Sequence, residues 1–497
     1  MASQAAACLA LLVAAWYAVS AVVAWRRLRT VSGPALARFS YLWIAGAALS
    51  GRSSDRYRAL DRRHGSLVRV GPNELLTSDP AVMRAMSAAR SAYRRSSWYR
   101  AIRLDRSVDN MASTLDTAAH DRLRARAAPG YSGRDNPAFE PGVDAQVAAL
   151  VRLVERRYLT DAAAFRPPDL ARAAQLFALD VITRLLYGRE PGCLAADADL
   201  DGLIGALDRL VPYLEILGAV PVLARLVQSP LLLRAVGPRA GDASGIGKLM
   251  GLSHDIIAER YRPGAEERTD MIASFARNGM EQRQCESEAL LQIFAGSETT
   301  ATAIRVVMLH VLAAPSVYAR LGREIAARAA AGRISSPITN AEAAGFPYLQ
   351  AVVQEGLRMQ PPSPALVMKQ VPPGGDVLHG HFVPGGTRVG HNLGPLVRDK
   401  AVFGPDAALF RPERWLAGDA EARLRMRRQL DLVWGHGRWT CPGRDIALME
   451  LNKVLVELFR NFDFQLVYPQ RPLFSRQHNT IIQRHLWVSV SRAASRE

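Results

Sequence analysis

The chain has 497 residues, 49% of them hydrophobic, which is enough for a large buried core. Its formal charge of +17 would by itself admit nucleic-acid binding. The arginines are dispersed, however, and no aromatic-basic module appears, so no nucleic-acid partner is expected. A basic surface facing anionic lipid and an acidic protein partner fits the charge better. The four cysteines, Cys8, Cys193, Cys285 and Cys441, lie far apart and in no zinc or iron–sulfur spacing. They give no sign of a disulfide framework and point to a reducing compartment.

Ala2 to Trp25 carries no charged residue and is long enough to span a bilayer as a helix. Arg26, Arg27 and Arg29 follow at once, which places the body on the cytosolic side. A cleaved signal peptide would need a charged start and a shorter apolar run. The expectation is a retained membrane anchor over 1–25 and a basic, proline-containing hinge and linker over 26–50. A single large domain over 51–497 follows. Val31-Ser32-Gly33-Pro34 reads as the hinge.

Arg58 to Gly65 reads as a helix ending at a glycine. Leu67-Val68-Arg69-Val70 and Glu74-Leu75-Leu76 read as two strands about a Gly-Pro-Asn turn. His120 and Arg124 stand four apart, on one helical face. Such a pair could hold two carboxylates, or simply form an exposed basic face. Val143 to Asp270 is mostly amphipathic helix, broken near Pro167-Pro168, Gly188 to Gly192 and Pro263-Gly264. Gly241 to Leu249 invites a phosphate-loop reading and fails it. Asp242 stands where that motif needs glycine, and Leu249 where it needs Ser or Thr. No repeat, low-complexity tract or interdomain linker appears.

Glu281 to Ala314 is one long helical pattern, stopped by Pro315. At its middle lies Ala295-Gly296-Ser297-Glu298-Thr299-Thr300. A mid-helix glycine costs about 1 kcal/mol. A threonine hydroxyl can bond the carbonyl a turn back and open the ladder. The small residue would leave room for a ligand, and a buried Glu298 with a raised pKa could relay protons. A kinked helix with solvated polar residues is the alternative. Glu355 and Arg358 stand three apart; as a surface ion pair they would be worth under about 1 kcal/mol. Pro361 to Val367 breaks the helix and runs extended. Strand and turn signals continue through Val377 to Val389, and Thr480 to Val490 reads as a final strand pair.

Trp434 to Arg444 brackets Cys441 with glycines, and Ala447, Leu448, Leu451, Val454, Leu455 and Leu458 follow on one helical face. Cys441 therefore sits on a loop entering a helix, where backbone N–H groups favour a thiolate. Nucleophile, redox centre, haem ligand and plain buried cysteine all remain open on these residues. A nucleophile wants a histidine base, and nothing places His436 against the sulfur. A redox cysteine usually has a resolving partner, and no Cys-x-x-Cys occurs.

Trp434-x-x-Gly437-x-Trp439-x-Cys441-x-Gly443 resembles the haem-binding signature of the cytochromes P450, Phe-x-x-Gly-x-Arg-x-Cys-x-Gly. Trp439 stands at the arginine position, and Arg438 is one residue earlier. Ala295 to Thr300 resembles the oxygen-activating helix of the same family, without departure. Glu355-x-x-Arg358 resembles its Glu-x-x-Arg pair, and Phe410 to Trp415 the element that supplies a third member, Arg414. The elements fall in the family's order over essentially the whole chain. Gly130-Tyr131-Ser132, Glu450 to Lys453 and Asn461 to Phe464 look further like the fungal microsomal branch that includes pisatin demethylase.

The resemblance implies a mostly α fold with small β-sheets, one large helical domain behind an N-terminal transmembrane helix. It implies haem b, its iron ligated by the Cys441 thiolate, with His120, Arg124, Lys369 and Trp434 against the haem. Thr299 would hold dioxygen by hydrogen bond and Glu298 would serve proton delivery. Glu355, Arg358 and Arg414 would form a structural network. The activity implied is insertion of one oxygen atom from O2 into a lipophilic molecule. Electrons would come from NADPH through cytochrome P450 reductase, with cytochrome b5 as a second donor. The enzyme would sit in the endoplasmic reticulum membrane as a single-pass protein facing the cytosol. The substrate pocket would be lined by Tyr93 to Asp116, Phe294, Ala295, Ser363 to Val367 and Asn479 to Ile482. A haem–thiolate isomerase, dehydratase or desaturase is the rival enzyme. A haem sensor is a further rival, but no appended signalling domain is seen.

Overall fold

Apolar residues recur at helical spacing through most of the chain, and helices form there. The computed structural model describes residues 2–105, 107–161 and 164–493. Helix α1 (Ala2–Arg27) carries the N-terminal apolar run. Leu11, Leu12, Val13, Trp16 and Val19 on it are exposed. Among the described residues no single helix is long and apolar enough to cross a membrane. Some α1 side chains, those of Leu9 and Ala10 included, lie outside the described ones.

Residues 26–50, expected as hinge and linker, pack onto the body. Leu28 and Val31 are buried with Leu67, Leu75 and Val389, and Ile44 joins Tyr57 and Val68. The buried Arg69 guanidinium must find acceptors. It finds them in the carbonyls of Ala24 at 2.9 Å, Arg38 at 3.0 Å and Pro72 at 2.7 Å. The end of α1 is thereby tied to the first strand.

That strand, β1 (Leu67–Gly71), pairs with β2 (Glu74–Thr77) about the expected Gly-Pro-Asn turn. With β3 (Arg94–Arg95), β4 (Ala365–Gln370) and β5 (Arg388–Asn392) they form a five-stranded sheet in the order β1-β2-β5-β4-β3. The β3–β4 register sets Arg95 opposite Lys369. A bulge in β4 falls between Leu366 and Lys369. There Leu366 and Val367 adopt φ of 68° and 49°, strained values for side chains with a Cβ.

The helical body holds the main core. Its framing helices are α2 (Thr117–Tyr131), α3 (Phe139–Arg157), α4 (Leu170–Tyr187), α5 (Leu203–Ala219), α6 (Gln282–Leu312), α7 (Pro347–Met359) and α8 (Arg444–Asn461). All of α4 except Arg172 and Arg184 is buried, as its apolar circumference requires. Asp169 caps its start through the N–H groups of Ala171 and Arg172. Two glycines let the helices close up. A Cβ on Gly296 of α6 would lie 2.9 Å from Ile182 on α4, and one on Gly356 of α7 would lie 2.4 Å from Val307 on α6. The odd glycine in α6 is therefore a site of close helix approach as well as of room for a ligand.

One expectation is corrected at the C-terminus. Thr480 to Val490 holds two strands that do not pair with each other. β8 (Ile481–Arg484) pairs with β7 (Phe474–Gln477), while β9 (Val488–Arg492) pairs with β6 (Phe462–Leu466). His485, at φ 65°, turns the chain between them. The Asp169 carboxylate accepts the His485 and Leu486 N–H groups and holds that turn.

Candidate active site

A cavity of about 870 Å³ lies between α6 and the Cys441 loop. Ala295, Gly296 and Thr299 form one wall, and Cys441, Pro442 and Gly443 the other. Arg95, His120, Arg124 and Trp439 close one end, and Trp434 also lines it. Cys441 is the one cysteine among the described residues that lines the cavity.

The loop is built to present that sulfur. Gly435 and Gly437 take φ of 82° and 58°, the left-handed region that favours glycine. The Cys441 N–H donates to the Trp434 carbonyl at 2.7 Å. Arg124 donates to the Thr440 carbonyl at 2.7 Å, fixing the residue before the cysteine. The side chain opens onto the cavity but is enclosed by protein atoms. Burial pushes its thiol up, against the Gly443 N–H and Arg124, which favour the thiolate. The helix-entry effect expected from sequence is present, and burial outweighs it.

The cationic end is assembled from four segments. Lys369 lies 3.7 Å and Arg95 4.5 Å from the Trp439 ring centre. The His120 ring lies against the same ring at 4.5 Å between centres, tilted by 43°. The His120 ring bonds Asp121 at 3.0 Å, and burial, then Arg95, pushes it down to about 4, so it is neutral. Arg438, the nearest substitute for the missing signature arginine, points elsewhere. It pairs with Asp121 at 2.7 Å and with the Ala89 carbonyl, and it does not line the cavity. The Lys369 ammonium is buried, does not line the cavity and has no hydrogen-bond partner among the described residues. Burial and the neighbouring Arg95 hold it well below the usual lysine range.

On α6, Thr299 faces the cavity and its hydroxyl donates to the Ala295 carbonyl at 2.7 Å. Glu298 does not line the cavity. Its carboxylate accepts Arg305 at 2.7 Å and the Gln175 amide, with Arg484 at 3.8 Å. Burial raises its pKa and Arg305 opposes the rise. The two adjacent residues thus point to different surroundings.

Glu355, Arg358 and Arg414 meet as one buried cluster. Arg358 bonds both Glu355 oxygens at 2.8 Å, and Arg414 reaches one at 3.0 Å. Trp415 and the Arg411 N–H add two more donors, at 2.9 and 2.8 Å. Of the expected pocket residues, Ala295 and part of the Tyr93 to Asp116 segment line the cavity. Phe294, Ser363 to Val367 and Asn479 to Ile482 do not. Sequence reasoning missed Arg95, and it missed Trp439 as a ring shared by two cations. The register opposite Lys369 is the only signal that finds Arg95.

These residues suit a haem. The slot has a thiol on one wall and a helix with small residues on the other. Its end carries Arg95 and Arg124. The Lys369 ammonium, which does not itself line the cavity, lies against the Trp439 ring that does, with no hydrogen-bond partner among the described residues; the haem carboxylates would supply one. The chain matches the family model Cytochrome P450 over residues 34–485. It is 44% identical over 485 residues to the cytochrome P450 monooxygenase ABA1 of Pyricularia oryzae, covering 96% of this chain and 95% of that one. It is 39% identical over 473 residues to aba1 of Botryotinia fuckeliana, covering 95% and 93%. It is 30% identical over 452 residues to pisatin demethylase of Fusarium vanettenii, covering 88% and 84%. With that match standing on a cavity built around a single cysteine, the chain belongs to the cytochrome P450 family, the haem–thiolate monooxygenases.

Proposed function

We propose that this enzyme inserts one oxygen atom from O2 into a lipophilic small molecule of secondary metabolism, by hydroxylation, epoxidation or O-dealkylation. The observation that carries the reading is Thr299, set on the cavity wall that faces the Cys441 loop, with its hydroxyl on the Ala295 carbonyl. Haem, when bound, supplies the activation of dioxygen. The chain's own residues hold it and manage protons. Cys441 is the iron ligand; Arg124, Lys369 and His120 take the carboxylate edge, with Arg95 added, and Trp434 packs beside the loop. Thr299 offers its hydroxyl to the reacting oxygen. Glu298 serves proton delivery, held in place by Arg305 with Arg484 at 3.8 Å, and Arg484 also pairs with Asp208, nearer the surface. The buried Glu355 cluster keeps α7 and the Arg414 segment in place. O-dealkylation is included because one relative is named a demethylase.

The exposed apolar face of α1 supports a membrane anchor, with residues 51–497 as the catalytic domain on the cytosolic side of the endoplasmic reticulum. Electrons would come from NADPH–cytochrome P450 reductase, with cytochrome b5 as a second donor. The test is metabolite profiling with the gene present and deleted, under labelled dioxygen. The expected result is a precursor that accumulates on deletion, with one label carried by the normal product or, for O-dealkylation, by the released aldehyde. Label in neither the product nor a released aldehyde would refute oxygen insertion and favour desaturation or rearrangement.

A further inference from the structure

Glu298 is engaged by Arg305 and Gln175 and faces away from the cavity. Helix α6 carries a second buried carboxyl, ten residues earlier, whose surroundings differ. Glu288 is fully buried and makes no hydrogen bond to a cation. One oxygen accepts the Met111 N–H at 2.5 Å and the Gln284 amide at 3.2 Å. The other oxygen has no partner among the described residues. One turn on, Gln292 lines the cavity, 3% exposed, with both its amide oxygen and its amide nitrogen unpartnered among the described residues. The next turn brings Gly296, and the next Thr299. One turn back, Gln284 borders a separate surface cleft and bonds the Asp109 carbonyl at 2.9 Å. Residues four apart share a helix face. Gln284, Glu288 and Gln292 therefore form one polar stripe that runs from the surface cleft toward the cavity.

We propose that Glu288 is a proton-relay residue that passes protons from the cleft beside Gln284 to water held by the Gln292 amide in the cavity. The proposal rests on the oxygen-insertion reading, in which the second oxygen atom leaves as water and takes up two protons. In each relay event the Glu288 O–H bond breaks and its proton joins the water at Gln292. The carboxylate then takes a proton from water at the cleft. No electron moves, and the net result is one proton carried inward. The site is polar on two sides, as a bound water requires.

A relay must exchange its proton near the working pH. Burial raises Glu288 to about 7, opposed by the Met111 N–H, Gln284 and Arg95 on β3. The other titratable groups coupled to it are Tyr131 on α2 and Cys285 on its own helix. Glu450 also lines the cavity with an unpartnered oxygen, but it sits on α8, the wall of the thiol. Among the described residues it has no hydrogen-bonded link toward solvent.

The test uses the full-length, haem-loaded protein with a reductase and compares Glu288→Gln and Glu288→Asp with wild type. Infrared spectroscopy should show a carboxyl band that titrates near neutral pH and is missing in Glu288→Gln. That variant should keep its haem absorbance and thermal midpoint. Its product per NADPH should fall roughly tenfold or more, with peroxide making up the difference and a larger solvent isotope effect. Glu288→Asp should recover most of the loss. Unchanged product per NADPH and isotope effect in Glu288→Gln would overturn the relay. So would a Glu288 band that does not titrate at all. Wild type putting label into neither the product nor a released aldehyde would instead refute the oxygen-insertion reading, and the infrared titration would still judge Glu288.

Discussion

The Lys369 ammonium lies 3.7 Å from the centre of the Trp439 ring, and Arg95 lies on the same ring at 4.5 Å. Trp439 occupies the position where the family signature has arginine. The positive charge is present, but it comes from the sheet and not from the loop. The unpartnered ammonium gains a charge-assisted bond only when an anion arrives, worth roughly 1.5–3 kcal/mol. Lys369→Met should therefore speed haem loss by roughly tenfold or more, read by transfer to a haem-accepting protein. Lys369→Arg should stay near wild type. Restoring the family residue with Trp439→Arg should lower haem occupancy, because a third cation would face Arg95 and Lys369. A gain in occupancy would show that the tryptophan carries no part of this arrangement.

What the sequence made legible follows the range of the interactions involved. Gly435, Gly437 and Cys441 form one local loop, and Thr299 bonds a carbonyl of its own helix, so a short window contains the information. Arg95 is different. It sits on a two-residue strand and reaches the site only through its register with Lys369, some 270 positions away. Glu298 is legible as buried but not in its direction, because Gln175 reaches it from α4 by helix packing while Arg305 lies two turns on along its own helix. The last two strands misled because alternation alone does not say which partner a strand takes. The turn at His485 separates them into two sheets.

Glu355 accepts from Arg358, Arg414, Trp415 and the Arg411 backbone, all within 3.0 Å. Removing this carboxylate leaves the buried Arg358 guanidinium with no carboxylate and Arg414 with Asp406 alone, at 3.1 Å. Glu355→Ala should lose roughly 3–5 kcal/mol, seen as a lower denaturant midpoint and loss of haem. Trp415→Phe removes one neutral donor and should cost about 1 kcal/mol. Equal losses in the two variants would contradict a charge-centred cluster.

His120 should shape the acid limb of stability. Its pKa lies near 4 in the fold against 6.5 outside it, mainly through burial. Between those values the unfolded chain binds a proton that the folded chain refuses. The contribution is therefore complete above about pH 6.5 and is lost as pH falls toward 4. His120→Phe keeps a ring against Trp439 and cannot titrate. Its denaturant midpoint should fall less steeply than that of wild type over this window. Parallel curves would mean that His120 titrates normally.

Thr299 should control coupling and leave stability alone. Among the described residues its hydroxyl bonds the Ala295 carbonyl of its own helix alone, so Thr299→Ala removes little packing and strands no buried charge. The same substitution withdraws a hydroxyl from the cavity where oxygen is handled. Product per NADPH should drop by roughly tenfold or more, with peroxide released in its place and the thermal midpoint within about 1 °C of wild type. Serine should restore coupling, because it keeps the hydroxyl and can make the same bond to Ala295. Valine keeps the shape and lacks the hydroxyl, so it should behave as alanine does. If valine couples as well as serine, the wall acts through shape, and the hydroxyl has no part in guiding protons.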